Sequence, residues 1–254
     1  MLSRRALTFG VPLFGATVIG QKAYAQPSGQ TIGVDAEFDQ LPLPPLSTLD
    51  DPEVYGYRKP NAEQMAKAKN ILDSTPKGAT PYAIAKSFID RYSQSDPGAI
   101  SQWPAPAAWN PVVKEFFSAT SLRAQNDMIN WCAAFANWCI ERNNKKGTDS
   151  ASSQSFVNSG KFLKINTPTQ GDLVVFTCYD KQSGKTLGLG HVAFFESSLG
   201  NDQIMVVGGN QSADGHSSII SERRFSTKPF DSHRHVGEEY VPCTFALNSF
   251  LKVA

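Results

Sequence analysis

Between residues 172 and 207 the chain repeats one pattern. The apolar run "DLVVFTCY" (172–179) is followed by the turn residues Lys181-Gln182-Ser183-Gly184 and then by "HVAFFESS" (191–198). After a turn over 199–202 comes "QIMVV" (203–207), which ends in Gly208-Gly209. Strand-length runs rich in β-branched and aromatic residues, punctuated this way, predict an antiparallel meander. Runs around 218–225 and 240–247 would complete the sheet. With 199–202 as the turn, Ser198 faces Gln203, and the same register places His191 opposite Asn210. Cross-strand neighbours on one face have Cβ atoms about 4.5–5.5 Å apart. Glu196 is an odd number of residues from His191, so the pleat turns it to the other face.

Ahead of the strands the periodicity is helical. Asn61 with Gln64 three residues on predicts a capped helix carrying Met65, Ala68, Ile71 and Leu72 on one face and stopping before Pro76-Lys77-Gly78. Thr80-Pro81 predicts a second start, followed by Ile84, Phe88, Ile89 and Tyr92 at helical spacing. A loop over 95–106 leads to Asn110-Pro111, which opens a short helix through Phe117. The two longer helices have apolar faces, which must pack on something that the sequence does not name.

The N-terminus is of another kind. Arg4 and Arg5 precede a weakly apolar run over 6–20 and an Ala23-Tyr24-Ala25 cleavage pattern, so residues 1–25 are expected to be an export signal. The Ser3-Arg4-Arg5 opening fits the twin-arginine route. The run is short for a bilayer and is broken by Gly10, Pro12 and Gly15, and no cysteine follows for a lipid anchor. Losing Arg4, Arg5 and Lys22 moves the formal charge from +1 to −2, a balance that offers no basic footprint for nucleic acid or anionic lipid. Residues 26–60 are proline-rich and read as an extended arm, 61–105 as a helical extension, and 106–254 as the principal domain.

The mature chain carries Cys132, Cys139, Cys178 and Cys243. In "NWCAAFANWC" (130–139), Met128, Trp131, Cys132, Phe135, Trp138 and Cys139 share one helical face, while Ala134, Asn137 and Glu141 lie on another. Such spacing suits plain core packing, since cysteine behaves as a small hydrophobe. Asn130 as N-cap would make Cys132 the second helical residue, where backbone N–H groups and the helix dipole stabilise a thiolate. Cys139, two turns on, is read as core or half of a disulfide. A bridge that spares Cys132 has three pairings among Cys139, Cys178 and Cys243, and an exported chain permits it.

A thiolate nucleophile needs an imidazole to carry its proton. His191 opens a strand after Gly188-Leu189-Gly190, where small residues allow a close approach, and Asn210 across the hairpin could orient it as a third member. His216 follows a turn-like stretch. His233 and His235 alternate near Glu238 and Glu239 but lack a convincing third ligand, so no metal is expected.

In order, "NWCAAFANWCIERN", "GDLVVF", "GHVAFFE" and "MVVGGNQS" resemble the cysteine amidase and endopeptidase group of CHAP and NlpC/P60 domains. The resemblance runs from about residue 126 to 210. It implies an α+β, papain-like fold, with the cysteine opening a helix packed on an antiparallel sheet, and hydrolysis of peptidoglycan amides in the periplasm or outside the cell. Carried over by position, Cys132 is the nucleophile, His191 the base and Asn210 the orienting residue. Asn126, six residues before Cys132, becomes a candidate oxyanion donor. No cofactor is implied, and peptidoglycan is the expected partner, with no nucleic acid and no stable membrane anchor. One departure stands out: many CHAP sequences carry a glutamate two residues before the asparagine, where this chain has Gly208. A wall-binding scaffold on the same fold and a cysteine-dependent acyltransferase are the rival readings.

Overall fold

Local capping sets the helices. In the computed structural model, which describes residues 58–102, 108–212, 218–236 and 239–253, α1 spans Ala62–Asp73 behind a complete capping box. The Asn61 side chain accepts from the Gln64 N–H, and the Gln64 side chain from the Asn61 N–H, both at 2.8 Å. Helix α2 (Pro81–Tyr92) starts at the predicted proline, with the Thr80 hydroxyl accepting from the Ala83 N–H at 3.2 Å. Helix α3 (Pro111–Phe116) starts behind Asn110, whose side chain accepts from the Val112 N–H at 2.9 Å. Helices α4 (Cys132–Arg142) and α5 (Ser155–Asn158) follow. The export signal, most of the arm, His216, Glu238 and the side chains of His235 and Glu239 fall outside the described residues.

Among the described residues, seven strands form one antiparallel sheet: β1 (Leu163–Ile165), β2 (Leu173–Asp180), β3 (Thr186–Gly200), β4 (Gln203–Ser212), β5 (Ser218–Ser226), β6 (Phe230–Val236) and β7 (Glu239–Lys252). The order is β1-β7-β2-β3-β4-β5, with β6 also paired to β7. The fold is thus α+β, as the sequence predicts. Alternation along β2 and β3 separates two cores. Leu173, Val175, Val192 and Phe194 face the helices, whereas Val174, Phe176, Ala193 and Phe195 face a second cluster with Phe225, Cys243 and Phe245. A strand buried on both sides reads as the continuous apolar run "LVVF".

The apolar faces of α1 and α2 pack into the same core as α4. Phe88 of α2 meets Phe116, Phe135 and Trp138 edge-on, with ring centroids 5.7–5.9 Å apart. At the far end of α4, Arg142 donates to the carbonyls of Leu72 and Thr75 at 2.5 and 2.6 Å and so closes the C-terminal end of α1. Its guanidinium also lies 4.8 Å from the Trp138 ring centroid.

Three expectations are corrected. The β3–β4 turn is two residues, Asn201-Asp202, both with positive φ, instead of four. Ser198 therefore pairs with Ile204, and two register shifts return the ladder to Phe194↔Val207, the predicted alignment. Strand β3 begins at Thr186, so the Gly188-Leu189-Gly190 segment is strand rather than loop. Finally, α4 has no polar face before Glu141. Ala134 is buried, and Asn137, fully buried, accepts from the Thr148 N–H at 2.7 Å and donates to the Ser150 carbonyl at 2.9 Å. The loop over 147–150 supplies the polar partners that solvent would otherwise provide.

Candidate active site

The first turn of α4 lies against β4. A Cβ added to Gly209 would sit 2.3 Å from Trp131 Cζ3 and 2.9 Å from Phe135 Cγ, so only glycine lets the strand come this close. Trp131 is fixed from its other edge as well. Its indole Nε1 donates to Ser218 Oγ at 2.9 Å, Ser218 donates to Gln102 Oε1 at 3.3 Å, and Gln102 Nε2 donates to the Asp127 carbonyl at 2.8 Å. Asp127 in turn accepts from the Asn110 N–H at 2.8 Å. This buried chain ties the segment before the cysteine to β5 and to α3.

Cys132 is the first residue of α4, not the second. Trp131 takes the N-cap position with no side-chain cap, because the Asn130 side-chain oxygen is engaged elsewhere: it accepts from Asn210 Nδ2 at 3.1 Å. Cys132 is still within the first turn, where backbone N–H groups point outward and favour negative charge. Cys139 is fully buried, and burial pushes its thiol well above the ordinary range, which suits core packing. None of the four cysteines is in a disulfide. Of the three pairings that the sequence leaves open, two join different cores: Cys139 lies in the helix-side core, Cys178 and Cys243 in the other.

His191 is buried on β3 opposite Phe176 of β2. Its ring stacks on Phe225 with centroids 5.7 Å apart and planes 16° from parallel. Glu196 does turn to the opposite face, where it accepts from the Tyr82 hydroxyl at 2.9 Å. Asn210, 2 % exposed, has a φ of +59°, the left-handed conformation in which asparagine is among the tolerated residues. It sits in a bulge between Gly208 and Gln211 in the β4–β5 pairing, and a bulge re-aims a side chain. The β3–β4 ladder ends at Phe194↔Val207, three residues short of His191 and Asn210, and the alternation that sends Val192 and Phe194 towards the helices turns His191 to the second cluster, beside Phe225. Asn126 is buried, and its side-chain oxygen accepts from the Met128 N–H at 3.0 Å in a local turn. His233 is exposed on β6, opposite Pro242.

Residues 124–210 match the CHAP domain. No curated protein and no solved structure matches the chain. The matched segment contains α4 and the meander through Asn210, and CHAP domains are in general hydrolase domains of the amidase or peptidase type, with peptidoglycan as substrate. Helices α1 and α2 lie outside the CHAP match yet share its core. At Gly208, a Cβ would fall 2.6 Å from the end of the Gln211 side chain and 2.9 Å from Ala193 Cβ. The backbone there is packed for glycine, so a glutamate is excluded without movement.

Sequence reasoning passed over Gln154. Its Nε2 donates to the carbonyl of Phe176 at 2.8 Å, and its Oε1 accepts from Thr177 Oγ1 at 2.6 Å, beside the strand partner of His191. The signal was Gly190, whose added Cβ would fall 2.4 Å from Gln154 Nε2 and 2.0 Å from the Phe176 oxygen. The glycine reports a close approach but does not say by what. Ser218 and Gln102 were missed too, since nothing in their spacing sets them apart from ordinary turn residues. No helix among the described residues is long and apolar enough to cross a membrane.

Proposed function

We propose that the protein is an exported peptidoglycan hydrolase with papain-like chemistry, cleaving an N-acetylmuramoyl-peptide or stem-peptide amide in the periplasm or outside the cell. The Cys132 thiolate attacks the scissile carbonyl, and the tetrahedral oxyanion is held by the Cys132 backbone N–H together with the Asn126 amide. His191 gives its proton to the departing amine. It then activates the water that opens the thioester and returns the thiol. Asn210 keeps the imidazole in the tautomer and orientation that both steps need.

The observation that carries this reading is the place of Cys132: it opens α4 within the segment that matches a hydrolase domain. The Asn130–Asn210 contact, which brings the third residue to the same helix end, supports it. Export is proposed from residues 1–25, which have the charge, apolar run and small-residue site of a signal.

The test is digestion of purified peptidoglycan by the mature protein beside Cys132→Ala, with the products identified by mass spectrometry. Amide-derived fragments that vanish in the variant are expected, and their masses name the bond. An intact wall after incubation with folded wild type would sink the hydrolase reading and favour the scaffold. Transfer to an added amine, instead of to water, would mark an acyltransferase.

A further inference from the structure

We infer that Asn130 is a positioning residue for the active site, acting through Asn210; the inference rests on the Cys-His-Asn reading proposed above. Asparagine presents an acceptor and a donor at almost the same place, and a triad asparagine serves an imidazole N–H only with its oxygen. An amide free to rotate by half a turn would offer its NH2 instead. Something must therefore decide which end faces which neighbour.

Two observations assign that task to Asn130. Its Oδ1 accepts from Asn210 Nδ2 at 3.1 Å, which commits the donor end of Asn210 to the residue two before Cys132. The other end, Asn210 Oδ1, is buried and accepts no hydrogen bond among the described residues. A buried carbonyl oxygen left in this state costs free energy unless an N–H comes to it, so the site is built for a donor that the proposed mechanism supplies from His191. The positive φ of Asn210 and the bulge around it give the side chain its unusual aim. The bond to Asn130 then fixes rotation about the last torsion. Asn130 itself is exposed and does not cap α4, so neither burial nor helix capping accounts for an asparagine there.

The test compares Asn130→Ala and Asn130→Asp with wild type, and adds Asn210→Ala and the Asn130→Ala/Asn210→Ala double variant. Two readouts are used: steady-state cleavage of peptidoglycan fragments, and the pH dependence of Cys132 alkylation by iodoacetamide, which needs no substrate. Losing one hydrogen bond to an oriented amide should lower kcat about tenfold in Asn130→Ala while KM stays within about twofold. The alkylation profile of that variant should move to higher pH, towards an ordinary thiol at about 8.5. Asn130→Asp keeps the acceptor and should retain more activity than Asn130→Ala. In the Asn210→Ala background, Asn130→Ala should add less than about a twofold loss, since the two act as one unit.

A KM increase with an unchanged alkylation profile would make Asn130 a substrate contact and overturn the inference. A full further loss in the Asn210→Ala background would overturn it as well. An unaltered Asn130→Ala enzyme that still digests the wall would sink the inference and leave the hydrolase reading standing. Conversely, an Asn130-dependent alkylation profile in a wild-type protein that cuts no peptidoglycan would uphold the inference and end the hydrolase reading.

Discussion

The Tyr82 hydroxyl donates to the Glu196 carboxylate at 2.9 Å and so joins α2, outside the CHAP match, to β3, inside it. Gln170 adds a 3.3 Å bond to the same phenol oxygen, and one turn further along α2 Lys86 pairs with Glu222 of β5 at 2.7 Å. The helix side of the sheet is thus stitched to the N-terminal helices by polar bonds as well as by the shared aromatic core.

Burial, and then the bond to Glu196, push the Tyr82 phenol up to about 12. The folded value lies above the unfolded one of about 10, so this contribution to stability is present below about pH 10 and is lost as pH rises through the folded value. Denaturant titrations of wild type and Tyr82→Phe between neutral and strongly alkaline pH check this. The variant should be less stable by about 1–2 kcal/mol at neutral pH, and the gap should narrow in alkali. A gap that stays constant would refute the assignment.

Removing residues 58–102 together with everything before them should abolish cooperative unfolding. The cut strips Phe88, Ile84 and Ile71 from the core and leaves Phe116, Phe135 and Trp138 bare on one side. Phe88→Ala alone should cost about 3–5 kcal/mol. A shortened protein that still gives a sharp calorimetric transition near that of the full chain would contradict the shared core.

Gly209→Ala should destabilise by about 1–3 kcal/mol, because the new methyl must displace the Trp131 ring or the strand itself. Trp131 immediately precedes Cys132, so the loss should reach activity even where the variant is folded. Tryptophan fluorescence and wall digestion, measured on one preparation, would show both changes together. Normal fluorescence and full activity would mean that the strand yields at no cost.

Under native conditions iodoacetamide should modify Cys132 alone, with the other three thiols reacting only after unfolding. Cys139, Cys178 and Cys243 have no exposed surface, whereas Cys132 keeps 4 % of its own at the start of α4, and burial disfavours the thiolate of Cys139. Peptide mapping after brief labelling reads this directly. Native labelling at Cys139 would show that α4 does not seat it as described.

Much of the fold is legible in the sequence because the deciding interactions are local. The capping residues Asn61, Thr80 and Asn110 act within three positions, and the strand runs carry their own alternation. What escaped prediction depends on distant partners. Asn130 looks like an N-cap until Asn210, eighty residues on, takes its oxygen. Asn137 looks solvent-facing until the loop over 147–150 folds across it. The four-residue turn gave way to Asn201-Asp202 because both residues tolerate positive φ, which composition alone leaves open. The helix that starts at Cys132 and the meander were legible; the polar chain through Trp131, Ser218 and Gln102 was not, since hydroxyls and amides reveal their purpose only through the groups they meet.

Strand β7 lies between β1 and β2, with Leu163 paired to Lys252 and Leu173 to Leu251. During synthesis this means that β7 leaves the ribosome after both of the strands it lies between. Until it arrives, β2 presents an unpaired edge and both cores remain open on one side, so the nascent chain cannot settle domain-first from its N-terminus. Contacts this far apart in sequence also slow the final step. The sheet is therefore closed by the arrival and insertion of β7 and not by growth outward from β1 and β2.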